Sequence, residues 1–414
     1  MEQKAVKPFA AARRAATLEY AIRDVVLPAR RIEAQGHKVL KLNIGDPAPF
    51  DFPVPQHMKD ALIAAVQDGR WSGYGASEGD PELRAAVAER ERRRNGLATL
   101  PEQVHVGTGV TEVLQMLLGA TLSAGDELLV PDPVYSPYEG LARYFDATPV
   151  GYTSDEADGW QPDIDDLRKR ITPKTRAIAL INPNNPTGAL YSRKRLQEIV
   201  DLAGEHEDQL FLISDEIYDD MTLDGEHVAT AALAKDLPVV ALNGFSKVYL
   251  ITGWRLGYAV FHDTHGRLAS ILDGFQRTAR NRLCPSSIAQ RAAIAALRGP
   301  QDHVAAVQTK LRRRRDIVYK RLNEIPGLSS AKPDGAFYMF PRIDLLADGK
   351  GPWKDDKAFV LDLLEKQHVL TVHGSGFGKR CGKDHFRIVY LPQEPVLEQA
   401  MDRLEAFMRD SGAA

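Results

Sequence analysis

The stretch Asn243-Gly-Phe-Ser-Lys-Val-Tyr-Leu-Ile-Thr-Gly-Trp-Arg255 follows directly on the apolar run Val239-Val-Ala-Leu242. The run reads as a buried strand, and the stretch as the loop that leaves it. Lys247 stands one residue after Ser246 and eight before Arg255. A lysine with a hydroxyl and a guanidinium at this spacing is suited to hold a phosphorylated aldehyde. The amine forms a Schiff base, and Ser246 and Arg255 take the phosphate.

Three further apolar runs share this texture: Glu127 to Pro131, Arg176 to Asn182 and Phe211 to Asp215. The second is apolar without alternation, as in a strand covered on both faces. Between it and the third, Leu196, Ile199, Val200 and Ala203 fall at helical spacing, with Ser192 as N-cap. Alternating strands and helices predict an α/β fold with a mainly parallel sheet. Asn185, Asp215 and Lys247 each follow a strand, separated by 30 and 32 residues, about one strand-helix-strand unit. Ligands in such sheets bind beyond the carboxyl ends of the strands, so these three side chains are expected to converge on one crevice.

After Gly299-Pro300 the pattern changes to a long basic helix, 302–323, shorter apolar pieces at 335–341, 369–373 and 385–391, and a final helix, 395–409. This predicts a second, smaller α/β unit. The run Arg312 to Arg315 lies beside an apolar stripe of Leu311, Ile317, Val318 and Leu322, and reads as a solvated helix face.

With 414 residues the chain can bury a full core. Its formal net charge of -3 argues against nucleic acid as the main partner. No apolar stretch is long enough to span a bilayer. Cys284 and Cys381 lie far apart and form neither a metal spacing nor a disulfide framework, which fits a cytoplasmic protein. The basic segment 1–14 reads as an N-terminal arm rather than a transit peptide.

Asp215, in Ile213-Ser-Asp-Glu-Ile-Tyr218, is placed to keep a pyridine nitrogen protonated, although taken alone it reads better as a helix cap. Tyr218 and Asn185 are candidates for hydrogen bonds to the phenolic oxygen of such a ring. Asn185 sits in Asn182-Pro-Asn-Asn-Pro-Thr-Gly188, which is equally a turn signal. Gly107-Thr-Gly-Val-Thr111 runs into a helix and offers backbone N–H groups to an anion, so Gly109, Val110 and Thr111 are assigned to the phosphate. The dinucleotide fingerprint fails there for want of a third glycine, and no P-loop lysine motif occurs. Tyr135, after a strand, can stack on a flat ring or simply fill the core. Arg387, in Phe386-Arg-Ile-Val-Tyr390, suits a substrate α-carboxylate if buried; an edge-strand arginine facing water is the alternative.

Taken together, Asn-Pro-Thr-Gly, Ser-Asp-Glu-Ile-Tyr, Ser-Lys with Thr-Gly-Trp-Arg, and Phe-Arg resemble the motifs of class I aminotransferases, in the order and spacing of that family. The resemblance covers nearly the whole chain. It implies pyridoxal 5′-phosphate as cofactor and the aspartate aminotransferase fold (fold type I). It also implies an N-terminal arm with part of the small domain at 1–55, a large cofactor domain at 56–300 and a small domain at 301–414. By the same resemblance Lys247 binds the cofactor aldehyde and moves the proton, and Asp215 pairs with the pyridine nitrogen. Asn185 and Tyr218 contact the ring oxygen, and Ser246, Arg255 and the 109–111 backbone hold the phosphate. Tyr135 stacks on the ring. Tyr74, in Tyr74-Gly-Ala-Ser-Glu-Gly79, resembles a tyrosine that reaches the neighbouring subunit's phosphate, which implies a homodimer. Gly45 and Arg387 resemble substrate contacts.

Leu42-Asn-Ile-Gly-Asp-Pro-Ala-Pro49, Arg282-Leu-Cys-Pro285 and Tyr20-Ala-Ile-Arg-Asp24 are similar to the alanine aminotransferase branch. This implies transfer from L-alanine to 2-oxoglutarate, with Tyr20 and Arg23 on a segment that folds over the site. Aspartate, aromatic or branched-chain transamination, or carbon–sulfur lysis, would use the same cofactor residues. A transcription regulator with this fold is disfavoured, because only about 40 residues precede the Asn-Ile-Gly stretch.

Overall fold

The computed structural model describes residues 9–16, 18, 21–349 and 351–412. In chain order its strands are β1 (Leu40–Lys41), β2 (Val104–Gly107), β3 (Glu127–Asp132), β4 (Thr148–Asp155), β5 (Gln161–Pro162), β6 (Thr175–Ile181), β7 (Phe211–Asp215), β8 (Val239–Gly244) and β9 (Gly257–His262). They continue as β10 (Leu328–Ser329), β11 (Tyr338–Met339), β12 (Arg342–Ile343), β13 (Val369–Leu370), β14 (Val372–His373) and β15 (Phe386–Val389). Eight of them form the central sheet, in the order β2-β9-β8-β7-β6-β3-β4-β5. The five inner strands β8, β7, β6, β3 and β4 are parallel, and the outer pairings are antiparallel.

Of these, β3, β6, β7 and β8 are buried on both faces. Alternate residues go to two cores. Ile178, Leu180, Leu212 and Val239 join one, with Leu196 and Ile199 from the helix Arg193–Gly204. Ala177, Ala179, Ile213 and Val240 join the other, with Val113 and Leu117 from the helix Val110–Thr121. Each fully buried Leu, Ile or Val contributes about 1.5–3 kcal/mol, so a sheet covered on both faces needs continuous apolar strands. Ser192 caps its helix as expected, its hydroxyl accepting from the Arg195 N–H at 3.1 Å.

Strand order reverses between β3 and β6, because β4 lies outside β3 while β7 and β8 extend beyond β6. The register sets Asp215 level with Ile181 on one side and Leu242 on the other. The segments leaving β3, β6, β7 and β8 therefore emerge together at the switch point. The smaller sheets hold the chain's C-terminal strands: β11-β15-β14, β10-β12, and β1 paired with β13. β1 is the N-terminal exception, joined in parallel to β13.

The reading of Arg312 to Arg315 as a solvated face needs correction. Arg314 and Arg315 are each 1% exposed. Arg314 donates to the Leu391 carbonyl and to both carboxylate oxygens of Asp51, at 2.7 and 2.9 Å, and stacks over Phe52. Arg315 reaches Asp224 at 2.6 Å and the Pro333 carbonyl at 3.1 Å. Only Arg312 and Arg313 face water substantially. Four consecutive residues span more than one helical turn, so such a run cannot lie on a single face; here two members meet acceptors supplied from distant segments.

The pair is part-buried, with Asp51 32% exposed, and Arg314 also has the Glu394 carboxylate at 3.7 Å, so the cost of breaking it falls between those of surface and buried pairs. Asp51→Ala is expected to lower unfolding stability by about 1–2 kcal/mol, read as a reduced urea midpoint. An unchanged midpoint would show that Arg314 draws no net support from Asp51.

Candidate active site

At the switch point lies a cavity of about 640 Å³. Its lining brings together Arg23, Gly45, Val110, Thr111, Tyr135, Asn185, Asp215, Tyr218, Ser246, Lys247, Arg255 and Arg387, twelve of the residues singled out from sequence. Gly109 adjoins it as N-cap of the helix Val110–Thr121. Tyr20 lies outside the described residues. Tyr74 is 85% exposed and lines a separate recess with Trp71, Ser287 and Gln290, away from this chain's own cavity.

Lys247 follows β8, and its Nζ donates to the Gly45 carbonyl at 2.6 Å. Burial pushes its amine down to about 8. The Arg387 and Arg255 guanidiniums act in the same direction, while the Asp46 and Asp215 carboxylates oppose them. Asp215 is the last residue of β7. No helix follows it, so the cap reading gives way to a turn in which Oδ1 accepts from the Ile217 N–H at 3.2 Å. Its Oδ2 accepts from the Tyr138 hydroxyl at 2.9 Å. Burial pushes the carboxyl up to about 6, against the Tyr138 hydroxyl and Lys247, which favour the anion.

The corner assigned to the phosphate is closely packed around Gly109. Gly109 has φ +81°, and a Cβ there would collide with the Arg255 guanidinium. The helix Val110–Thr121 has no side-chain cap, so its first N–H groups face this corner with Ser246 and Arg255. Arg255 Nη1 lies 3.4 Å from Ser246 Oγ and donates to the Thr252 carbonyl at 2.9 Å. A hydroxyl, a guanidinium and a helix N-terminus form a donor set matched to a phosphate.

Arg387 is on β15, the middle strand of its sheet, and is 1% exposed, so the edge-strand alternative is excluded. It donates to Asn185 Oδ1 at 2.9 Å and to the Asn43 carbonyl at 2.5 Å. Its guanidinium lies between the rings of Tyr338 and Phe377, at 4.6 and 4.7 Å. Asn185 is thereby oriented through its carbonyl oxygen.

Sequence reasoning gave no role to Asp46, Tyr138, Thr252 or Tyr338. Thr252 donates to Asp46 Oδ1 at 2.8 Å, tying the lysine loop to the segment that carries Gly45. Tyr138 was detectable as a second tyrosine three residues after Tyr135, at the start of the helix Pro137–Tyr144. Tyr338 carries no local signal. Ile22 and Arg23, on the short helix Ala21–Asp24, complete the cavity wall from the N-terminal side.

Residues 37–404 match the family model described as aminotransferase class I and II. The chain is 41% identical over 384 residues to an alanine aminotransferase of Mycobacterium tuberculosis, covering 92% of this chain and 88% of that protein. It is 39% identical over 393 residues to the glutamate-pyruvate aminotransferase AlaA of Escherichia coli, covering 94% and 95%. A solved alanine aminotransferase from Pyrococcus furiosus superposes with a TM-score of 0.94 at 56% identity, covering 97% of this chain and all of that one.

With its amine near pKa 8, Lys247 is expected to acylate selectively in cofactor-free protein. Mass-spectrometric labelling across pH should show its rate rising to half-maximum near pH 8, while surface lysines remain charged to about pH 10. Labelling of Lys247 that follows the surface lysines would contradict the effect of burial.

Proposed function

We propose that this chain, which belongs to the class I and II aminotransferase family, moves the amino group of L-alanine to 2-oxoglutarate, giving pyruvate and L-glutamate. The observation that carries this reading is the convergence of Lys247, Asp215, the phosphate-shaped corner and Arg387 on one cavity. The likeness to relatives named alanine and glutamate-pyruvate aminotransferases supports the choice of substrates.

The enzyme is pyridoxal-phosphate dependent. When bound, the cofactor supplies an electron-withdrawing ring that stabilises negative charge at the substrate α-carbon. Ser246, Arg255 and the 109–111 backbone hold its phosphate, and Lys247 binds its aldehyde. Asp215 keeps the ring nitrogen protonated. Tyr135 covers the ring face, and Asn185 and Tyr218 hold the ring oxygen.

The substrate's α-carboxylate is held by the planar fork of Arg387, with Gly45 alongside. Lys247 Nζ, once free, takes the proton from the substrate α-carbon; an amine near pKa 8 is well matched to that work at neutral pH. Ile22 and Ile44 add apolar surface to the cavity wall. Arg23 is assigned to the distal carboxylate of glutamate. Because one amino acid must leave as a keto acid before the second keto acid binds, the kinetics are ping-pong.

We place the enzyme in the cytoplasm as a homodimer, with the partner's Tyr74 reaching the phosphate. Among the described residues no helix is long and apolar enough to cross a membrane. The units 56–300 and 301–414 are read as the large and small domains.

Purified protein loaded with pyridoxal phosphate is expected to absorb in the visible, to bleach with L-alanine and to recover with 2-oxoglutarate but not oxaloacetate. Lys247→Ala should fold, as judged by circular dichroism, and lose steady-state transamination. Sustained turnover by that variant would remove the assignment. Arg23→Ala should weaken kcat/KM for glutamate about tenfold or more while sparing alanine, as loss of a charge-assisted hydrogen bond predicts. An unchanged glutamate-to-alanine ratio would free Arg23 of this role.

A further inference from the structure

Tyr338 has none of the roles above, yet it touches three residues that do. It is 2% exposed. Its strand β11 pairs antiparallel with β15, Tyr338 facing Val389 and Met339 facing Ile388, which brings it beside Arg387. Its hydroxyl lies 2.7 Å from that of Tyr218, and the two rings meet edge to face at 5.6 Å. A Cβ on Gly45 would collide with the same hydroxyl. The phenol is therefore held tightly between Gly45, Tyr218 and Arg387.

Two phenols at this distance share one hydrogen bond, so one donates and the other accepts. The surroundings are not symmetric. The Arg387 cation sits 4.6 Å from the Tyr338 ring centroid, which makes that phenol the stronger donor. Tyr218 is instead held in its neutral, protonated state, first by burial, then by its neighbours Tyr338 and Tyr135, with the Asp215 carboxylate acting in the same direction. The stronger acid gives its hydrogen to the better acceptor. Tyr218 then keeps its own hydrogen for the cavity, and accepting one bond strengthens the next bond it donates.

We propose that Tyr338 is a positioning residue whose hydroxyl donates to Tyr218 and so commits the Tyr218 proton to the ring oxygen of bound pyridoxal phosphate. This rests on the reading of Tyr218 given under the proposed function. The consequence is a change in proton affinity at Lys247. A firm donor draws negative charge away from the ring oxygen. With the donor weakened, that charge holds a proton on the Lys247 nitrogen to higher pH. The groups that face Tyr218 are Tyr338, Tyr135 and Asp215. Those that face Lys247 are Asp46, Arg387, Arg255 and Asp215. A Tyr338→Phe substitution changes only the phenol among them.

The experiment is a spectrophotometric pH titration of the pyridoxal-phosphate-loaded enzyme, read as the midpoint at which its visible band shifts. Thermal melting checks that each variant is folded. Tyr338→Phe is expected to raise the midpoint by about half a pH unit. Tyr218→Phe should raise it further, and the double variant should match Tyr218→Phe alone. 3-Fluorotyrosine introduced at position 338 keeps the shape of the side chain but donates more strongly, so it should lower the midpoint. It also serves if Tyr338→Phe does not fold. The relay is overturned by an unmoved midpoint in Tyr338→Phe, by shifts that add in full in the double variant, or by a fluorotyrosine shift that is upward or absent. A wild-type protein without a visible band would defeat the proposed function itself. A wild-type band that Lys247→Ala removes, but Tyr338→Phe leaves unmoved, would defeat only the relay.

Discussion

The bond from Lys247 Nζ to the Gly45 carbonyl joins two parts of the chain on which the cavity depends. Lys247 leaves the central sheet at β8, whereas Gly45 belongs to a segment hydrogen-bonded to β13 and β15. Only a glycine permits the approach, because the space where a side chain would start is taken by Tyr338. Thr252 and Asp46 form a second tie across the same boundary. The amine, part-buried on the cavity wall, thus meets a neutral acceptor rather than a carboxylate. A low-dielectric setting of that kind weakens the charged form of a lysine.

The cavity's charges divide by place. Arg255 stands with Ser246 at the corner beside the helix Val110–Thr121, and Arg387 stands on β15 beside Asn185. Each guanidinium is oriented by protein acceptors before any ligand arrives, Arg255 by a carbonyl and Arg387 by a carbonyl and an amide oxygen. Preset donors of this type lose little freedom on binding an anion. The carboxylate of Asp215 is likewise fixed on both oxygens, by Ile217 and Tyr138. The polar groups are therefore preset: Arg387 and one oxygen of Asp215 by segments distant in sequence, Arg255 and the other oxygen of Asp215 by backbone two or three residues away.

What sequence disclosed and what it hid follow from the range of the forces involved. Strands β6, β7 and β8 announce themselves, because burial on both faces demands apolar runs. Asn185, Asp215 and Lys247 could be placed at one end of the sheet because strand spacing is a local property. Tyr138 and Tyr338 act through partners 77 and 120 residues away, and nothing near them in sequence marks those partners. The same holds for Arg314 and Arg315. A basic tetrad on a helix looks solvated until the Asp51 carboxylate and the Leu391 carbonyl, both remote in sequence, are brought against it. Long-range pairing of polar groups is the part of the fold that local pattern does not encode.

The junction of β1 with β13 also orders events during synthesis. Leu40 donates to the His368 carbonyl, Leu42 donates to Leu370, and Val389 donates back to Leu42. The central sheet has all its strands once His262 has been made. The segment that carries Gly45 and Asp46 has no partner strand until Val369 leaves the ribosome. The nascent chain can thus assemble its lysine-bearing half early, but the carbonyl that receives the lysine is among the last features to be fixed.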